Sequence, residues 1–290
     1  MKSKIDDNSD VSMSGERILL TPFQIFDYLH QPQKPILMKT LISVIFLAFL
    51  ACSCTPKESP KSLAEQNPAA EGFDLTGSDP AAIQLADSIM HAMGGRENWD
   101  KTRFISWNFF GRRDLIWDKY TGRVRIESQP DSTIYLVNIS SGEGRVRIKG
   151  TEITEPDSLK KLLDKAKSIW INDSYWLVMP FKIKDSGVTI KYMGEDTLAG
   201  QRYNSLILTF KEVGVTPQNK YKLFVDKHEK LVRHWAYFSN SSQDTANFVR
   251  PWDNYQKYGT ILLSGDRSDG GGPKNVKVDE SLPDALFTEF

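Results

Sequence analysis

The chain has 290 residues, with 37 basic against 37 acidic side chains, 40% hydrophobic and 11% aromatic residues. That length admits one sizeable domain or two small ones, and zero formal charge leaves no sequence-independent attraction to a phosphate backbone, which argues against a nucleic-acid partner. The two cysteines, Cys52 and Cys54, stand together, so the body beyond them has neither a disulfide nor a cysteine nucleophile and must be held by its apolar core.

Residues 1–37 show no sustained period and are expected to be a mis-assigned upstream extension. Residues 38–51 then read as a signal peptide: Met38-Lys39, followed from Leu41 to Ala51 by LISVIFLAFLA. As a helix this run spans roughly 16 Å, about half of a bilayer's hydrocarbon core, so it is too short for a stable anchor and has the proportions of a signal-peptide apolar region. Phe49-Leu50-Ala51-Cys52 resembles a bacterial lipobox, with Phe at position 49 where that pattern prefers Leu. The resemblance implies lipidation of Cys52 and a membrane attachment through that lipid. Residues 1–51 carry five basic and five acidic side chains, so the chain from Cys52 onward is equally neutral.

Residues 52–78 are expected to be a disordered tether. Pro56, Pro60, Pro68, Gly72 and Gly77 interrupt it, and only Leu63, Phe73 and Leu75 are large apolar residues, too little hydrophobic surface to fold.

Residues 79–290 read as a single half-barrel domain. Asp79-Pro80 starts a helix and Gly94-Gly95 stops it, with Ile83, Ala86, Ile89, Met90 and Met93 on one stripe. The period then changes to two: Ile105, Trp107 and Phe109, then Val124 and Ile126, then Val146 and Ile148, each alternating with polar residues. Tyr120-Thr121-Gly122 and Ser141-Gly142-Glu143-Gly144 suit hairpin turns. Glu155 to Asn172 is expected to be a second helix, closed by Ile169-Trp170, and strands resume at 188–193, 203–211, 220–225, 231–238 and 258–263. The fold class is therefore α+β: a large curled antiparallel sheet of roughly ten strands whose apolar face is covered by two or three helices.

This order, together with GGRENWDKTRFISWNFFGRR, DLIWDKYTGRVRIE, NDSYWLVMPFKIKDSGV and VGVTPQNKYKLFVD, resembles a family of Gram-negative lipoproteins of unassigned function. Its architecture is similar to that of the outer-membrane lipoprotein carrier and receptor superfamily, LolA/LolB-like. That resemblance implies a half-barrel lined by apolar residues that holds acyl chains under helical lids, in the envelope and most simply at the outer membrane. It carries across no ligand residue.

No catalytic or metal-binding pattern stands out, and no cofactor is expected. His91, His228 and His234 lack the three- or four-residue spacing of a helical metal site. Asp185, His234 and Asp253 are the nameable candidates should an enzyme site assemble only in space. Asp114, Asp118 and Lys119 alternate around Leu115 and Trp117 as a solvated strand face. Arg123, Arg125, Arg145, Arg147 and Lys149 could meet across strands as a basic patch for anionic headgroups, though a salt-bridged outer face is the simpler reading.

The aromatics remain. Ile105, Trp107, Phe109, Trp117, Trp176, Met179, Phe181, Phe210 and Trp235 give a sheet with large apolar side chains that either fills itself or encloses a cavity, and they are its candidate lining. If it is hollow, Trp107 should line the hollow. The function expected is a lipid-anchored, non-enzymatic binding protein for an acyl chain or another apolar ligand. A protein-interaction module and, less simply, an enzyme are the alternatives.

Overall fold

A computed structural model describes residues 60–290; the extension, the signal segment and Cys52 lie outside the described residues. Strands β1 (Phe104–Phe109), β2 (Arg113–Asp118), β3 (Arg123–Ser128), β4 (Thr133–Asn138), β5 (Gly144–Ile148) and β6 (Thr151–Glu152) form an antiparallel meander. Antiparallel register puts Trp107, Leu115, Ile126, Tyr135 and Val146 in one row across β1 to β5, and all five are buried. Alternation thus makes one face of this sheet apolar.

The second sheet contains β7 (Val188–Leu198), β8 (Gln201–Phe210), β9 (Lys220–Val225), β10 (Val232–Phe238) and β11 (Phe248–Pro251), in the order β11-β10-β9-β8-β7. β12 (Tyr255–Tyr258) and β13 (Ile261–Ser264) form a separate hairpin, and β14 (Pro273–Asp279) returns to pair with β1 as an edge of the seven-stranded sheet. The antiparallel α+β class holds, but the sheet is divided. The strand read at 258–263 is two strands, because Gly259 takes φ 58° and turns the chain there. Ala199-Gly200, both at positive φ, make the two-residue turn between β7 and β8, the geometry whose twist matches that of the flanking strands.

Among the described residues five helices accompany the sheets: α1 (Leu63–Gln66), α2 (Pro80–Ala92), α3 (Arg96–Lys101), α4 (Pro156–Val178) and α5 (Ala285–Thr288). Of the apolar stripe of α2, Ala86, Ile89, Met90 and Met93 are buried and Ile83 is half-buried. Helix α4 begins at the expected proline, with Glu155 accepting from the Asp157 and Ser158 amides, but it continues past Trp170 to Val178. It stops where Pro180 cannot donate, in a 3-10 turn over Met179–Lys182. Two arginines hold α4: Arg113 donates to both oxygens of buried Asp173 (2.7 and 3.0 Å), and Arg267 donates to the Trp176 carbonyl (2.6 Å) while stacking over Trp252. Burial pushes the Asp173 carboxyl up, against the pull of the Arg113 fork.

The tether expectation fails from Pro60 onward. Ser62 and Glu65 form a capping box on α1, Phe73 enters the core, and residues 74–79 run along the free edge of β7. The Asp74 and Asp79 amides donate to Val188 and Ile190 carbonyls (both 3.1 Å), and the Ile190 amide donates to Ser78 Oγ (3.0 Å). Asp74 accepts from Thr189 (2.7 Å) and Lys211 (2.6 Å), bonds that hold its carboxyl far below the usual range. Backbone pairing to a sheet edge needs few apolar side chains, which is why composition did not reveal this attachment. Asp79 occupies the N-cap position but turns its carboxylate to Lys191 and the Tyr192 amide instead of to its own helix.

Of the set read as a solvated face, Asp114 is exposed, but Asp118 and Lys119 are not. Asp118 is fully buried; burial raises its pKa, but Arg103, Thr121 and the Tyr120 amide bring it down to about 2, and Arg123 lies 3.5 Å away. Lys119 donates to the Trp99 and Thr102 carbonyls at the end of α3 and sits 3.6 Å above the Trp99 ring; burial pulls its ammonium down to about 7.

Candidate functional site

A cavity of about 490 Å³ opens between the second half of α4, the inner face of β8–β11 and the loop 211–219. Strand alternation sends Tyr221, Trp235 and Tyr237 to this face, and Phe210 and Phe248 complete the wall from β8 and β11. Helix α4 contributes Trp170, Tyr175 and Trp176, and the loop contributes Val213, Val215, Thr216 and Asn219.

The wall is braced by ring contacts. Trp235 stacks on Tyr221 with centroids 5.2 Å apart and meets Trp176 edge-on at 4.7 Å; Tyr175 lies 5.3 Å from Tyr221 and 6.2 Å from Phe210. Burial raises the Tyr221 phenol to about 12 and Tyr175 well above its ordinary value, so both rings stay neutral. Charge enters only at the rim, where Lys182 pairs with Asp185. A lining that is mostly aromatic and apolar, with Lys182 and Asp185 as its charged residues, can hold an apolar molecule.

Of the expected lining residues, Trp176, Phe210 and Trp235 meet at this cavity. The others do not line it. Ile105, Trp107, Phe109 and Trp117 belong to the packed core under the seven-stranded sheet, and Met179 and Phe181 lie in the 3-10 turn after α4. Phe181 stacks on Trp99 at 4.3 Å, and Trp117 meets Trp170 at 5.1 Å. Alternation identifies an inward face; whether that face meets packed side chains or a hollow depends on what lies opposite. Tyr175, Tyr221, Tyr237 and Phe248 were missed as lining, although Tyr221 and Tyr237 flank the readable alternation Tyr221-Leu223 and Trp235-Tyr237.

Asp185 is not brought to His234 and Asp253, which share one groove. Asp185 stands at the cavity rim. His234 and Asp253 border a polar groove of about 480 Å³ with Tyr203, Asp226, Glu229 and Arg233, on the other face of β10 from Trp235. Burial lowers the His234 pKa, against the opposing charge of Asp253, and its ring packs 5.7 Å from Tyr203. Among the described residues no group of His, Cys, Asp or Glu side chains is placed to hold a metal ion, and no helix is long and apolar enough to cross a membrane.

No protein-family model matches the chain, and no curated protein matches it. Solved structures similar to this chain include a DUF1329 family protein from Desulfovibrio piger, 14% identical with a TM-score of 0.37, covering 73% of this chain and 98% of that one. A LolA superfamily protein from Nitrosomonas europaea is 11% identical with a TM-score of 0.30, covering 70% of this chain and 97% of that one. The structural neighbours are DUF1329 and LolA-superfamily proteins.

Proposed function

We propose that this chain is a non-enzymatic binding protein of the Gram-negative cell envelope, lipid-anchored at Cys52, that holds an acyl chain or similar apolar ligand in the cavity beneath α4. The observation that carries the reading is the largely aromatic wall around about 490 Å³, within the roughly 300–1,000 Å³ range of small-molecule sites. Lys182 and Asp185 at the rim suit the polar end of an amphipathic molecule. The anchor rests on the apolar run and the Phe49-Leu50-Ala51-Cys52 pattern. Intact-mass analysis of protein extracted from membranes is expected to find an acylated N-terminus at Cys52; a mature chain that retains Met1 contradicts the anchor.

For the cavity, a fluorescent fatty acid is expected to bind at micromolar concentration and to perturb the emission of the lining residues Trp176 and Trp235. Thr216→Trp, which adds bulk from a surface loop into the cavity, should weaken that binding by at least about tenfold with little change in thermal midpoint. An absence of binding by the wild-type chain at tens of micromolar, or equal binding by the variant, removes the cavity reading.

A further inference from the structure

The outer face of the seven-stranded sheet carries a feature that the cavity does not explain. Register places Arg123 and Arg125 of β3, Leu136 of β4, and Arg145 and Arg147 of β5 on one face, beside Phe104 and Asp118. This is the arginine cluster visible in the sequence, and its charges are partly answered within the sheet: Arg125 by Glu127 (2.6 Å), Arg145 by Glu152 (2.7 Å) and Arg123 by Asp118 (3.5 Å). Arg123, Arg125 and Arg145 each also donate to one segment, residues 284–290, which crosses the face as a strap.

The contacts are those of peptide recognition. Arg123 pairs with Asp284 at 2.6 Å; Arg125 donates to the Leu286 and Glu289 carbonyls (3.1 and 2.6 Å); Arg145 donates to the Thr288 carbonyl (2.8 Å). Phe287 lies between the Phe104 ring and the Arg123 guanidinium, and Phe290 lies beneath Arg145 and Arg147 at 4.7 and 4.1 Å. Arginines that satisfy the free carbonyls of a short helix, together with two aromatic sockets, read backbone shape and side-chain identity at once. Yet Phe287, Phe104 and Leu136 are buried outside the main hydrophobic core, to which the strap supplies no buried residue. The strap can therefore leave without opening that core.

We propose that this arginine-lined face is a peptide-docking surface that the chain masks with its own strap. Its partner is a protein segment of the same chemistry: an acidic residue followed by phenylalanines three and six positions later, as in Asp284, Phe287 and Phe290. A strap joined to its site acts at an effective concentration on the order of millimolar, so even a weak intrinsic contact keeps the face closed to a dilute competitor. A partner opens it by binding more tightly or by local enrichment at a membrane.

The test uses the full chain and a labelled synthetic peptide of residues 280–290. Phe287→Ala/Phe290→Ala, which loosens the strap, is expected to bind the peptide at least about tenfold more tightly than wild type does. Adding Arg125→Ala and Arg145→Ala should abolish that binding while the wild-type circular dichroism is kept. Asp284→Ala/Phe290→Ala, which leaves the Phe287 socket filled, provides a second loosened strap should the first variant fold poorly. A folded, loosened variant that ignores the peptide overturns the proposal, as does binding that survives the loss of both arginines. Uptake onto anionic phospholipid vesicles without peptide binding also overturns it, because the face would then recognise headgroups.

Discussion

Replacing Lys184 by methionine is expected to destabilise the body by about 3–5 kcal/mol, the cost of leaving a buried charge without its partner. Lys184 Nζ donates to Asp87 Oδ1 (2.6 Å) and to the Asn67 carbonyl, and Asn67 Nδ2 donates to the same Asp87 oxygen (2.8 Å). All three residues are buried. They fasten the segment after α1 to helix α2 and to the chain leaving the 3-10 turn, so the substitution loosens three elements at once. At about 2–4 °C per kcal/mol for a domain of this size, the thermal midpoint should fall by about 10 °C. Lys184→Met combined with Asp87→Leu should recover part of the loss, because no lone carboxylate then remains inside. A fall of only a degree or two for Lys184→Met would mean that water reaches the Asp87 oxygen and that the triad does not anchor the segment.

Trp107→Ala should be comparably costly, about 3–5 kcal/mol, as large-to-small truncations in packed cores are. Trp107 is 2% exposed, pairs across the strands with Leu115, and lies in the row that continues through Ile126, Tyr135 and Val146. It does not border the cavity beneath α4. From the sequence, Trp107 lines a hollow only if the sheet is hollow; the structure seats it in the packed core instead. Denaturant unfolding should show the large loss, and under conditions where the variant is folded the fluorescent fatty acid should bind as to wild type. Weakened probe binding by folded Trp107→Ala would connect this core to the cavity.

Much of the fold is legible locally. The Asp79-Pro80 start and the Gly94-Gly95 stop bracket α2, the strand over Lys220–Val225 lies where alternation puts it, and the arginines of β3 and β5 share a face because strand periodicity is two. Local patterning determined these because each signal is carried by neighbours within a turn or a strand pair. It also missed β4, although Tyr135, Leu136 and Val137 are all buried, because both faces of that strand are covered and its pattern is a continuous apolar run instead of an alternation.

The cavity was only partly legible. Trp176, Phe210 and Trp235 were identifiable as large inward residues, but nothing in their spacing separates them from Trp107 or Phe181. By itself, the sequence determined the α+β antiparallel class, the inward faces and the pattern around Cys52, because those depend on periodicity and on short motifs. Only the tertiary structure decided that residues 74–79 bind a strand edge, that the hollow lies under α4 and not under β1, and that the arginine face is covered by residues 284–290. Each of these joins segments far apart in the chain, and the free energy that selects them comes from edge hydrogen bonds, opposing surfaces and charge pairing that no local window contains.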